Sequence, residues 1–125
     1  MRRRVLIADD AAFMREMLRD ILRDSDFEVV GEASNGDEAV SRFQELTPDL
    51  ITLDIVMPGK SGLEVLSEMV AIDPGACVVM CSALGQEALV MEALEAGAKE
   101  YIIKPFKPDQ VLGALNEALQ KSGDR

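Results

Sequence analysis

Residues 50–64 read LITLDIVMPGKSGLE. Leu50, Ile51, Thr52 and Leu53 form a short apolar and β-branched run, the signature of a buried strand. The run stops at Asp54. Pro58, Gly59 and Gly62 then interrupt the chain, after which Leu63, Val65, Leu66, Met69 and Val70 recur at the spacing of a helical face. The stretch is a strand, a loop and a helix, with an acid at the strand's exit.

The same unit repeats along the chain. Val5–Ala8 is a compact apolar run, followed by Phe13, Met14, Met17, Leu18, Ile21 and Leu22 at helical spacing. Phe27–Val30 reads as a second strand, Asn35-Gly36 as a turn, and Ala39, Val40, Phe43 and Leu46 as a helix stopped at Thr47-Pro48. After the third unit, Asp73-Pro74-Gly75 punctuates before Val78–Cys81. A helix is expected over Gln86–Ala96 with Gly97 as its C-cap, then a strand at Tyr101–Ile103 and a last helix from Lys107 to Gln120. Short apolar strands alternating with helices predict a parallel sheet covered on both faces, in one doubly wound α/β domain of five βα units spanning residues 1–125. No linker or low-complexity tract divides it.

Composition narrows the function. The 125 residues carry 13 basic and 23 acidic side chains, a formal net charge of −10. Nucleic acid is a poor partner for such a surface, because phosphate attraction needs a basic face. No apolar run reaches membrane-spanning length, and the start, MRRRVLIADD, is too short in its apolar part for a signal peptide. Cys77 and Cys81 lie in one apolar segment of a chain without histidine. They read as small buried hydrophobes rather than a disulfide or zinc site, which fits a cytoplasmic protein.

In an open α/β sheet, sites gather beyond the carboxyl ends of the strands. Strand one ends in Asp9-Asp10, strand three in Asp54, strand four in Ser82 and strand five in Lys104-Pro105. Singly, each has an ordinary reading. Asp10 could cap the helix starting near Ala12, Ser82 could be a loop serine, and Lys104 a solvated lysine. Asp54 is less easily dismissed, since Ile55, Val56 and Met57 precede Pro58 and no helix starts there. The five together are the signal. If strands one and three are neighbours, three carboxylates meet and need a cation. Oxygen-only ligands favour a hard ion such as Mg²⁺. A carboxylate beside such an ion can attack phosphorus, with the metal and a lysine neutralising charge on the transferring group.

On these motifs the chain resembles the receiver domains of two-component response regulators. The carriers are VLIADDAAFMR, LITLDIVMPGKSGLE, VVMCSALG and YIIKPF, and the likeness extends over essentially the whole length. DDAAFMR and CSALGQ bring it nearest to the free-standing chemotaxis regulators. The strand order 2-1-3-4-5 follows from that resemblance, flavodoxin and a chemotaxis regulator being type examples of it. The resemblance implies Asp54 as phosphoryl acceptor, Mg²⁺ bound by Asp10 directly, by Asp9 largely through water, by Asp54 itself and by the Val56 carbonyl. It implies that Ser82 hydrogen-bonds the phosphoryl group, Lys104 pairs with it, Lys104-Pro105 is a cis peptide, and Tyr101 is the switch aromatic. As a plain strand residue, Tyr101 would be half-buried. The implied donor is a sensor histidine kinase. The implied output is a changed affinity for a partner, the flagellar switch in chemotaxis, from a monomeric domain that catalyses its own phosphorylation and part of its own hydrolysis.

Val56 and Leu84, two residues after Asp54 and Ser82, depart from the commoner polar pattern. Neither can hydrogen-bond an attacking water, so slow loss of the phosphoryl group and reliance on a separate phosphatase are expected. Three other readings compete. The chain could be the receiver part of a longer methylesterase or transcription factor, against which residues 121–125 read as a frayed domain end. It could be a Mg²⁺-dependent phosphatase or mutase, which often carries a second acid where Val56 stands. It could be a docking module that is never phosphorylated. Met80 is expected in the core. Core packing also fits Met91 better than a partner surface does.

Overall fold

The computed structural model describes residues 2–122. Its elements alternate without exception: β1 (Arg3–Ala8), α1 (Ala12–Leu22), β2 (Phe27–Ala33), α2 (Gly36–Leu46), β3 (Leu50–Asp54), α3 (Gly62–Ile72), β4 (Val78–Ser82), α4 (Glu87–Glu95), β5 (Glu100–Ile103) and α5 (Pro108–Lys121). The five strands are parallel in the order β2-β1-β3-β4-β5.

Alternation along the strands builds two cores, one on each face. Leu6, Ala8, Ile51, Leu53, Val78 and Met80 pack with Ala39 and Phe43 of α2, Val65, Leu66 and Met69 of α3, and Val90 and Ala93 of α4. Val5, Ile7, Leu50, Val79, Cys81 and Ile102 pack with Leu18 and Leu22 of α1 and Val111, Leu115, Ala118 and Leu119 of α5. Each fully buried Leu or Ile side chain is worth roughly 2 kcal/mol of transfer free energy. Both faces of the central strands are apolar, so β3 and β4 are buried at all five of their residues. Both cysteines are buried and neither is in a disulfide, as expected.

The helices begin in different ways. Asn35 accepts a hydrogen bond from the Glu38 N–H at the start of α2, so Asn35-Gly36 is a helix cap and first residue rather than a free-standing turn. Ser61 and Glu64 form a full capping box on α3, and Pro108 opens α5. Ala11, not Asp10, precedes α1, and no side chain caps it, so the capping reading of Asp10 fails. α4 ends at Glu95 with Ala96 as C-cap. Gly97 follows in the left-handed region at φ +121°, one place beyond the expected cap. β2 runs three residues longer than the sequence suggests. Its register against β1 slips between Val5 and Leu6, where the extra residue Val30 is absorbed, and a Cβ at Gly31 would stand 2.5 Å from the Leu46 side chain. At the far end Lys121 closes α5 and Ser122 caps it, while residues 123–125 of the expected frayed terminus lie outside the described residues.

Candidate functional site

β1 and β3 are neighbours, with Ala8 paired to Leu53, so the next residue on each strand line, Asp9 and Asp54, leaves side by side. Asp9 and Asp54 are buried, at 2% and 6% exposure, whereas Asp10 is open to solvent. One carboxylate oxygen from each of Asp9, Asp10 and Asp54 lies within 4.8 Å of the others. β5 brings in the counter-charge. Lys104 Nζ stands 2.9 Å from Asp9 Oδ2 and 3.2 Å from Asp54 Oδ2, across 50 residues of sequence in the latter case. The Lys104-Pro105 bond is cis, as the resemblance implied. The Lys104 N–H donates to the Ser82 carbonyl at 2.8 Å and the Ile55 N–H to the Cys81 carbonyl at 3.0 Å, tying the exits of β3, β4 and β5 together.

The electrostatics follow from crowding acids in a dry place. Burial raises the pKa of Asp54, and the neighbouring Asp9 charge raises it further. Lys104 and the Val56 N–H, which donates to Asp54 Oδ1 at 3.3 Å, pull the other way but do not cancel the rise. For Lys104, burial pushes the pKa down, but the close Asp9 and Asp54 carboxylates outweigh it, so the ammonium is held more firmly than usual. Cys81, opposite Asp54 across the β3–β4 ladder, is driven far up by burial and is no nucleophile.

The arrangement is built to hold more positive charge than one lysine supplies. Asp9 Oδ2 is buried and, although close to Lys104, has no properly directed hydrogen-bond donor. Three carboxylates, one with a buried oxygen ion-paired but not hydrogen-bonded, fit a hard cation, and among the described residues Asp9, Asp10 and Asp54 form the one acidic or thiol cluster able to hold a metal. Of the residues named from the sequence, Asp9, Asp10, Asp54, Val56, Ser82 and Lys104 lie at this end of the sheet, whereas Tyr101 stands near the start of β5. Ser82 is 2% exposed at the exit of β4. Tyr101 is 40% exposed on β5, paired with Met80, and is not joined to Ser82. Val56, Leu84 and Phe13 all project into solvent from the loops or helix start around the acids. Met80 is in the core, but Met91 is exposed on α4, against the expectation that it packs inside.

Two residues at the site escaped the sequence reading. Thr52 lies two residues before Asp54, is 1% exposed, and its hydroxyl is unpaired. Its strand position was legible, but an orphaned hydroxyl is a property of neighbours that a sequence does not name. Gly62 is the second. Its N–H donates to the Ile55 carbonyl, and a Cβ there would stand 2.4 Å from the Asp54 carbonyl oxygen. The glycine was noticed as a breaker, and its real role is close backbone approach behind the loop that follows Asp54.

Comparison with known proteins gives the same account. The response regulator receiver domain model matches residues 5–116. Over 117 residues the chain is 54% identical to the chemotaxis protein CheY of Thermotoga maritima, covering 94% of this chain and 98% of that one. The response regulator domain of Thermotoga maritima CheB superposes with a TM-score of 0.88 at 39% identity, covering 96% and 98% of the two chains. A chain of the CheX–CheY–BeF3–Mg²⁺ complex from Borrelia burgdorferi matches with a TM-score of 0.85 at 37% identity, covering 94% and 87%. Strand order, acid cluster and these likenesses converge, and the chain belongs to the response regulator receiver domain family.

Proposed function

We propose that this receiver domain is a phosphoacceptor switch in chemotaxis signalling, with Asp54 as acceptor. The observation that carries the reading is the Asp54 carboxylate, buried beside Asp9 and bonded to Lys104 at the end of β3. A buried carboxylate with its pKa raised and with a fixed ammonium beside it is a nucleophile awaiting a second cation. Asp10, Asp54 and the Val56 carbonyl would hold Mg²⁺, with Asp9 acting mainly through water. The ion, when bound, neutralises charge on the phosphoryl oxygens. The relative crystallised with BeF3 and Mg²⁺ supports that choice of metal.

The step balances simply. An Asp54 oxygen forms a bond to phosphorus, the phosphorus–nitrogen bond of a kinase phosphohistidine breaks, and the leaving imidazole takes up a proton. Lys104 pairs with the transferred group and Ser82 donates its hydroxyl to it. In the hydrolysis that resets the switch, Val56 and Leu84 offer no hydrogen bond to water, which favours a separate phosphatase. That a relative has been crystallised in complex with CheX supports a further protein partner for such a domain.

The domain is thus a signalling module whose chemistry serves its state, and its output partner would be the flagellar switch. Ser82 moving toward the phosphoryl group would open space for Tyr101, already partly exposed, to turn inward and change the α4–β5–α5 surface. The experiment is to measure affinity for the output partner before and after phosphorylation, in wild type and Tyr101→Ala. Loss of the phosphorylation-dependent gain in the variant is expected. A variant that couples as well as wild type removes Tyr101 from the mechanism.

A further inference from the structure

Asp9 is held at both backbone polar atoms and at Oδ1. Its N–H donates to the Ala33 carbonyl at 3.0 Å, and its Oδ1 accepts from the Ala11 N–H at 2.9 Å. Its carbonyl oxygen is the remaining handle, and Arg15 Nη1 donates to it at 2.6 Å. Arg15 belongs to α1 and does not touch a carboxylate of the site. Its Nε instead donates to Glu32 Oε1 on β2 at 2.8 Å, and Arg19, one turn later, bonds the other Glu32 oxygen at 2.5 Å. The side chain is only 17% exposed. One guanidinium therefore links the end of β1, the first turn of α1 and the edge strand β2.

The point of attachment matters. The Asp9 carbonyl belongs to the peptide joining Asp9 to Asp10, so its direction is coupled to the dihedrals that aim both side chains. A charge-assisted bond from a rigid fork, itself anchored by a carboxylate, is a strong way to fix such a peptide. We infer that Arg15 is a positioning residue of the cation site: through the Asp9 carbonyl it holds the Asp9 and Asp10 carboxylates in the geometry that receives a divalent ion. This rests on the reading above that these acids bind Mg²⁺.

Two effects of Arg15 oppose each other, and their sizes decide the sign. As a positive charge it repels a divalent cation, so charge alone predicts tighter binding when it is removed. Glu32 compensates that charge, and what remains is screened by salt and solvent. Groups that orient metal ligands from behind are typically worth about 10–100-fold in affinity. Positioning wins, and the expected result is a loss.

Mg²⁺ alone is titrated into the full chain and into Arg15→Ala and Arg15→Lys, following amide shifts of residues 9, 10 and 54 by NMR. The same spectra report the fold, and melts without metal report stability. Arg15→Ala should keep native dispersion and bind Mg²⁺ about tenfold or more weakly. Arg15→Lys keeps the charge without the fork and should fall between. Affinity unchanged or tightened in Arg15→Ala overturns the inference. If that variant fails to fold, Arg15→Lys decides: weaker binding supports positioning, and wild-type affinity overturns it. A wild type with no Mg²⁺-dependent shift overturns the metal reading and this inference together, whereas normal wild-type binding with unaffected variants overturns this inference alone.

Discussion

Asp54 and Thr52 share one strand face and illustrate opposite uses of a buried oxygen. Asp54 is strained electrostatically in the metal-free chain, since burial and Asp9 raise its pKa above the ordinary 3.8. Between that value and the raised one, the folded chain holds a proton that the unfolded chain has released. Stability therefore falls as pH rises through the window. Asp54→Asn in EDTA should raise Tm at neutral pH by roughly a few degrees, with the gain vanishing below about pH 3.8. Melting curves across pH check this, and a neutral-pH loss of Tm would contradict it. Thr52 carries an orphaned hydroxyl in the α1–α5 core. Thr52→Val keeps the shape and removes the unpaired group, so it should be neutral or stabilise by about 1 kcal/mol in denaturant melts. A clear destabilisation would show that the hydroxyl has a partner of its own. The acids, Ser82 and Lys104 were legible from the sequence because each interrupts an apolar strand at its exit. Thr52 was not, because a threonine is an ordinary strand former and its hydroxyl is orphaned only by what Ile7 and Val79 place beside it.

At the scale of elements, the β3–α3 connection is what presents Asp54. Ile55 and Met57 are buried, Val56 is exposed, and the Gly62 N–H returns to the Ile55 carbonyl. The loop is thereby pinned from behind, and Ser61 with Glu64 fixes where α3 starts. Gly62→Ala must push the Asp54 and Ile55 backbone away. The expected cost is about 1–3 kcal/mol, accompanied by slower phosphorylation of Asp54 from a small donor. Wild-type stability and rate together would show the approach to be looser than it stands. Helix faces were readable from their 3.6-residue period, and every strand was found. The ends were less so. β2 was read short because Gly31 and Glu32 interrupt its apolar run, and they belong to a strand at the sheet's edge that need not be apolar on both faces. Asp10 as a helix cap was a fair local reading, but Ala11 stands at the cap position and no side chain caps α1.

For the whole molecule, the sheet order does the assembling. Placing β1 between β2 and β3 puts Asp9 and Asp10 beside Asp54, and placing β4 between β3 and β5 brings Ser82 and Lys104 to the same edge. Periodicity alone gives five units and says nothing of their order; that came from the likeness of the motifs to a family. Arg15 shows the limit of such reading, since its bond to the Asp9 carbonyl and its anchor at Glu32 exist only once α1 has folded over β1 and β2. The central claim is that this assembly lets one carboxylate carry phosphorus. The direct measurement is intact mass after incubation with acetyl phosphate and Mg²⁺, with Asp54→Ala as control and the excess donor then removed. Wild type should gain one phosphoryl group per chain, retain it without added phosphatase, and fail to gain it in EDTA. Equal labelling of Asp54→Ala, or none in wild type, would contradict the account.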